Sequence, residues 1–194
     1  MLKSARTDKL SADLNTDASG RVEAVRVWDP LVRIFHWTLV LSFATAWLTA
    51  GWAEDVHQWA GFYAAGAIVV RAGWGLLGTP YARFAQFVRR PREVVGYLIA
   101  MTRGSEPRYL GHNPAIGAMI LILMTMIIAA VCTGWMMTTD TFFGVPWIGL
   151  RHSLIVHAIA MLIFIHVAGV AIASIRHKEN LALAMLTGQK QLTD

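Results

Sequence analysis

The chain has 194 residues, of which 56% are hydrophobic and only 15% are charged. A soluble domain usually carries about 25% charged residues, so the composition points to lipid as the solvent. The net charge of +5 could indicate a nucleic-acid partner, but the basic residues lie between apolar segments, which is typical of membrane proteins. The single cysteine, Cys132, excludes a disulfide within the chain and is interpreted as a small buried apolar side chain.

Residues 1–26 are polar and mixed in charge, without the apolar core of a signal peptide, and predict a largely disordered tail. Four apolar segments follow, at 31–51, 57–78, 115–138 and 152–175. Each segment, as a helix rising about 1.5 Å per residue, is long enough to cross about 30 Å of hydrocarbon. Only helices satisfy their own backbone groups in lipid at this length, so we predict an all-α membrane protein with a four-transmembrane-helix bundle.

The stretch 79–114, between the second and third segments, is too long for a plain connector. Within it Pro91–Thr102 begins with proline, which suits a first helical position, and places Val94, Val95, Leu98 and Ile99 along one stripe. This pattern predicts a short amphipathic helix lying on the cytoplasmic interface.

Lysine and arginine are concentrated before the first segment, in the stretch 79–114 and after the fourth segment. The turn at 52–56 has none and the loop at 139–151 has only Arg151. The positive-inside rule therefore predicts that both termini and the stretch 79–114 are cytoplasmic. The predicted organisation is a tail at 1–26, one helical domain at 27–178 and a tail at 179–194.

Four histidines fall within or at the ends of the apolar segments: His36 in the first, His57 opening the second, His152 opening the fourth, and His166 fourteen residues after it. Fourteen residues at about 100° each end about 40° short of four full turns, so His152 and His166 share one helix face about 21 Å apart along the axis. By contrast, His157 is predicted to point away from that face.

Topology sorts these histidines by depth into a cytoplasmic pair, His36 with His166, and an outer pair, His57 with His152. Each pair could supply both axial ligands of one haem iron, which suits electron transfer because no coordination site stays open. The sequence has no Cys-x-x-Cys-His motif, so two non-covalent haem b groups are predicted. The alternative is four unrelated histidines that are hydrogen-bonded within a bundle.

Haem propionates need cations or water, and three arginines are candidates for that role. Arg71 lies fourteen residues after His57, on the same face but one haem deeper. Arg151 precedes His152 and could serve the outer haem, and Arg33 is a weaker candidate. For Arg71 the alternative is a side chain that snorkels to the cytoplasmic surface.

Several motifs together resemble those of the bacterial cytochrome b561 family, which includes the cytochrome b subunits of nickel-iron hydrogenases. They are Val27-Trp28-Asp29-Pro30, Arg33-Ile34-Phe35-His36-Trp37, His57-Gln58-Trp59-Ala60-Gly61 with Arg71, Gly111-His112-Asn113-Pro114, and His152 with His166. The resemblance covers about residues 27–190 and implies that His36, His57, His152 and His166 are the haem ligands. The loop at 139–151 is short for a hydrogenase subunit.

The resemblance implies a dihaem cytochrome of the bacterial inner membrane that carries electrons between ubiquinone or menaquinone and a redox partner. That partner is a periplasmic cytochrome c or a larger redox complex, and a homo-oligomer is also compatible. His112 and Asn113 could hydrogen-bond a quinone carbonyl near the cytoplasmic haem, although Asn113 before Pro114 also fits a helix cap.

Three further functions stay open at this point, and no catalytic residue is predicted. One is a superoxide:ubiquinone oxidoreductase, in which Arg151 attracts the anion at the outer face. Another is a membrane subunit of a larger complex, which is either the anchor and electron-transfer subunit of a hydrogenase-like complex or a non-redox subunit that only anchors a partner. A histidine-based proton transporter is disfavoured, because Glu54, Asp55 and Asp140 all fall in predicted loops rather than inside the membrane.

Overall fold

The computed structural model of the chain describes residues 24–26, 29–79, 82–105, 107, 109, 113–177 and 180–191. Its helices are α1 Pro30–Thr49, α2 Glu54–Leu77, α3 Phe84–Phe87, α4 Pro91–Thr102, α5 Pro114–Met137, α6 Pro146–His177 and α7 Leu181–Thr187; its strands are β1 Ala24–Arg26 and β2 Gln189–Gln191. Among the described residues, four helices (α1, α2, α5 and α6) are long and apolar enough to cross a membrane. The predicted four-helix membrane fold is therefore confirmed.

Side-chain caps explain where several helices begin. Asp29 accepts a hydrogen bond from the Leu31 amide at 2.8 Å, and Pro30 follows it at the first helical position of α1. Asn113 caps α5 in the same way before Pro114, and Asn180 accepts from the Leu183 amide at 2.8 Å to cap α7. These residues satisfy amides that have no partner within the helix, while proline removes one such amide.

We call the end of the bundle at which α1 begins the inner end, and the opposite end the outer end. α1 packs on α2, α2 packs on α5, and α5 packs on α6. Ser42 of α1 donates a hydrogen bond to the Ala60 carbonyl of α2 at 2.6 Å, which fixes the register of this antiparallel pair. The buried core lies between α2, α5 and α6 and includes Ile68, Ile127 and Ile159.

Helix α4 spans Pro91–Thr102 as predicted, and its Val95, Leu98 and Ile99 side chains are exposed, as expected for a helix on an interface. The fourth long helix differs from the expected segment, because it begins at Pro146 rather than at His152. Proline is well placed in a first helical turn, so the helix also takes in residues 146–151, which are apolar except for Arg151. The short α3 was not predicted, since four residues carry no periodic signal.

The two tails also differ from expectation over a few residues. β1, at the end of the predicted disordered tail, pairs with β2 in an antiparallel ribbon that joins Ala24 to Gln191 and Arg26 to Gln189. One strand precedes α1 and the other follows α7. Such pairing requires an even number of membrane crossings between them, and four long helices provide it.

Candidate haem site and family

The outer pair, His57 on α2 and His152 on α6, is brought together at the outer end of the bundle. The two ring centroids are 6.1 Å apart and the ring planes are inclined at 74°. A metal–imidazole bond of about 2 Å, plus about 1 Å from nitrogen to ring centre, gives about 6 Å when one metal lies between two imidazoles. The separation therefore fits a single shared metal ion.

Backbone carbonyls orient both imidazoles of the outer pair. His57 Nδ1 lies 2.8 Å from the Ala46 carbonyl oxygen, and His152 Nδ1 lies 3.0 Å from that of Ala130. A carbonyl oxygen can only accept, so both Nδ1 atoms carry the proton and donate it. The Nε2 atoms keep their lone pairs, which is the tautomer that a metal ligand requires.

A cavity of about 800 Å³ opens beside the outer pair and is lined mostly by apolar side chains, with His57 and His152 on its wall. Gly134 of α5 lies against the His152 ring, where an added Cβ would approach His152 Cε1 to 3.2 Å. The glycine therefore allows α5 to support the imidazole closely. Both histidines thus face a space large enough for a flat prosthetic group.

The inner pair, His36 on α1 and His166 on α6, lies within the range of an electrostatic interaction between the two imidazoles. Both side chains are half-buried, and the His36 ring packs edge-on against Trp37 with centroids 5.2 Å apart. Within the described part of the chain, His36 Nδ1 is buried without a hydrogen-bond partner. The structure therefore brings His57 and His152 together, and the pairing of His36 with His166 stays a prediction.

Arg71 is the most completely buried charged side chain among the described residues, with only 2% of its surface exposed. Its guanidinium carbon lies 5.0 Å from the Phe84 ring centroid and 6.0 Å from that of Phe87. Over the described residues, Nη1 has no hydrogen-bond partner, and Asp29 attracts the charge electrostatically. The alternative of snorkelling to the surface is therefore wrong, and a cation buried in this way calls for an anionic partner.

The other two arginines are placed differently. The Arg33 guanidinium donates a hydrogen bond to the Leu186 carbonyl of α7, and its Nε is buried with no partner among the described residues. Arg151 is exposed, and its guanidinium lies 5.3 Å from the Trp147 ring centroid rather than on the wall of the outer cavity. Of the two, only Arg33 has a buried donor left to offer an anion.

Of the two residues predicted to contact quinone, the structure describes only Asn113. His112 lies outside the described residues. Asn113 Oδ1 accepts a hydrogen bond from the Ile116 amide at 2.8 Å, which is the helix-cap arrangement that the sequence offered as the alternative.

Sequence reasoning missed several residues around the outer pair. His157 lines the same cavity as His152, although its spacing predicts another face, because the cavity extends toward α1. Its Nδ1 donates to the Ser153 carbonyl at 2.7 Å, and its ring meets that of Trp47 at 5.4 Å. Thr133, whose hydroxyl lies 3.1 Å from His152 Nδ1, was also missed, since threonine in an apolar helix gives no signal of its own.

No group of three or more His, Cys, Asp or Glu side chains suited to a metal occurs within the described ranges. Each histidine pair could supply two imidazole ligands to one haem iron. Two opposed imidazoles, a large apolar cavity and a buried unpartnered cation together suit a haem that carries propionates.

Comparison with known proteins agrees with this geometry. The family described as prokaryotic cytochrome b561 matches residues 27–188. A protein of Rhizobium leguminosarum bv. viciae, described as a probable Ni/Fe-hydrogenase B-type cytochrome subunit, is 20% identical over 96% of this chain and 97% of its own length. No solved structure matches significantly. The chain therefore belongs to the prokaryotic cytochrome b561 family of haem-binding, inner-membrane electron-transport proteins.

Proposed function

We propose that the protein carries electrons across the inner membrane through two haem b groups, between the quinone pool and a redox partner at the outer face. The observation that carries this proposal is the outer pair, with ring centroids 6.1 Å apart beside a cavity of about 800 Å³. Its two carbonyl-bound Nδ1 atoms leave both Nε2 lone pairs for iron.

Each haem has its own set of residues in this proposal. His57 and His152 hold the outer haem, and His36 and His166 hold the inner one. Arg71 would donate to a propionate of the inner haem, which would give its buried Nη1 an anionic partner. A haem held between two histidines would supply one-electron chemistry.

The protein between the two pairs keeps the electron path dry. Ile159 is fully buried and lies midway along α6 between His152 and His166, and Ile68 is buried on α2 between His57 and Arg71. Because these side chains exclude water, little solvent reorganises when charge moves. The residues thus bind, orient and insulate the two redox groups.

Charge supports an orientation with the inner end in the cytoplasm. The described loops and first helical turns at the outer end carry three acids, Glu54, Asp55 and Asp140, and one base, Arg151. Basic residues are concentrated in the stretch 79–114 at the inner end. The positive-inside rule favours this orientation, so quinone would exchange electrons with the inner haem and the partner with the outer one.

The outer partner is a redox protein rather than a small anion. A larger redox complex is supported by the relative described as a hydrogenase cytochrome subunit. The superoxide reaction needs an anion to approach the outer face, and three acids against one base disfavour that approach. Arg151, the base in question, already lies over Trp147.

Haem content and redox titration of the purified protein test the proposal. We expect two haems per chain, and one haem after either His57→Ala or His36→Ala. His157→Ala is the matched control, since this histidine lines the outer cavity but donates to Ser153 and should leave both haems bound. A colourless protein, or two haems retained in His57→Ala, would contradict the assignment.

A further inference from the structure

A threonine on α5 reaches the back of one outer ligand. His152 Nδ1 lies 3.0 Å from the Ala130 carbonyl and 3.1 Å from Thr133 Oγ1. The same hydroxyl is 2.9 Å from the Ala129 and Ala130 carbonyls. Its single proton is donated to one of those carbonyls, so a lone pair of Oγ1 is left to accept from His152 Nδ1. The imidazole proton is therefore shared between two acceptors.

Hydrogen bonds of this kind change what an imidazole offers a metal. An Nδ1 proton drawn toward acceptors leaves the ring richer in electrons and makes Nε2 a stronger donor. A stronger donor stabilises oxidised iron more than reduced iron, because the oxidised form carries more positive charge. Hydrogen bonding behind an axial ligand is thus one means of setting a haem potential.

At least one histidine of the inner pair lacks a hydrogen bond of this kind at Nδ1. Among the described residues His36 Nδ1 has no acceptor, whereas His57 and His152 both donate to carbonyls. Arg71 adds a buried positive charge toward the inner end, which stabilises an added electron there. Both differences act in the same direction.

We propose that Thr133 is a positioning residue whose hydroxyl, by sharing the His152 proton, holds the outer haem at a lower reduction potential than the inner haem. The inference rests on the proposed function, since it requires both haems. The consequence is directional: an electron that enters at the outer face moves downhill toward the inner haem and the quinone.

The simpler interpretation is that Thr133 only bonds its own helix backbone. Threonines in membrane helices commonly do so, and Thr125, two turns earlier on α5, donates to the Leu121 carbonyl at 2.9 Å and is exposed. Thr125→Val is therefore a matched control, because it removes the same hydroxyl from the same helix away from the histidines.

The test is a potentiometric titration of the full-length protein with both haems bound, followed in the visible bands. The haem that remains in His36→Ala identifies the outer midpoint. We expect the outer midpoint to lie below the inner one, to rise in Thr133→Val and to stay unchanged in Thr133→Ser and Thr125→Val. The low-temperature EPR signal of the oxidised outer haem should shift in Thr133→Val alone.

Several outcomes decide the matter. An unchanged outer midpoint in Thr133→Val, or an outer midpoint above the inner one, would overturn the inference while the dihaem function stands. Loss of the outer haem from Thr133→Val and Thr133→Ala, with retention in Thr133→Ser, would support the positioning role of the hydroxyl. Protein without haem would instead refute the proposed function itself.

Discussion

The outer and inner histidine pairs have similar ligands but different surroundings. At the outer pair both Nδ1 atoms donate to backbone carbonyls, and a glycine lets α5 approach the His152 ring. At the inner pair His36 Nδ1 has no hydrogen-bond partner among the described residues. The buried cation Arg71 lies on α2 toward the same end of the bundle.

This difference shows two ways in which a bundle prepares a site for haem. The outer site is pre-organised, because hydrogen bonds hold the imidazoles in one tautomer and orientation before any ligand arrives. The inner site is incomplete, because the buried Nη1 of Arg71 has no hydrogen-bond partner among the described residues, and a bound anion would supply one. Substitutions should therefore affect the two haems separately.

The largest effect is expected from Arg71→Met. Without the guanidinium the inner propionate loses its buried partner, and we expect inner-haem affinity to fall by about 10- to 100-fold, as for other supporting partners of metal sites. The apo-protein, relieved of a buried cation whose Nη1 has no hydrogen-bond partner among the described residues, should become more stable. Haem titration and thermal unfolding of the original protein and the variant measure these two effects. Equal loss of both haems would show that Arg71 does not act on the inner haem alone.

A smaller effect is expected at the outer pair from Gly134→Ala. The added Cβ would come within 3.2 Å of His152 Cε1, so the ring must shift from its carbonyl partner, and outer-haem affinity should fall by about 10-fold. Gly169→Ala is the control, since nothing lies within 4 Å of a Cβ there. Haem-loss rates for the two variants should differ, and identical rates would remove Gly134 from the site.

A stability effect of about 1 kcal/mol is expected from Asn113→Ala, because the cap of α5 is lost. Asn113→Asp keeps the accepting oxygen at the Ile116 amide but has no side-chain N–H to donate. We expect it to restore stability and to support normal quinone reduction. If quinone reduction falls in Asn113→Asp at unchanged stability, the residue binds quinone as well as capping the helix.

The smallest effect is expected from Gly188→Ala. Gly188 ends α7 with a positive φ of 83°, where a Cβ costs about 1 kcal/mol. The loss should stay local to α7 and the ribbon, so hydrogen exchange of Gln189 should rise while both haem spectra stay unchanged. Gly96→Ala in α4 is the control, because an added Cβ meets nothing within 4 Å there, and it should leave the hydrogen-exchange rate of Gln189 unchanged.

Much of the fold, and the approach of His57 to His152, could be predicted because helical geometry is periodic. A spacing of fourteen residues places His152 and His166 on one face whatever surrounds them. The start of α6 at Pro146 could not be read from hydropathy, because the apolar residues at 142–150 include two glycines and a proline, which are typical of a turn. The carbonyl partners of the outer pair and the place of His157 on the cavity wall depend on how neighbouring helices approach, which one sequence does not encode locally.

The β1–β2 ribbon has a consequence for biogenesis. β1 is synthesised before the first membrane crossing and β2 after the fourth, so the two strands can meet only when all four long helices have been made and inserted. Arg33 makes the same kind of late contact, because its acceptor on Leu186 lies in α7. The contacts at the inner end of the bundle therefore form only after the last long helix and α7 have been made.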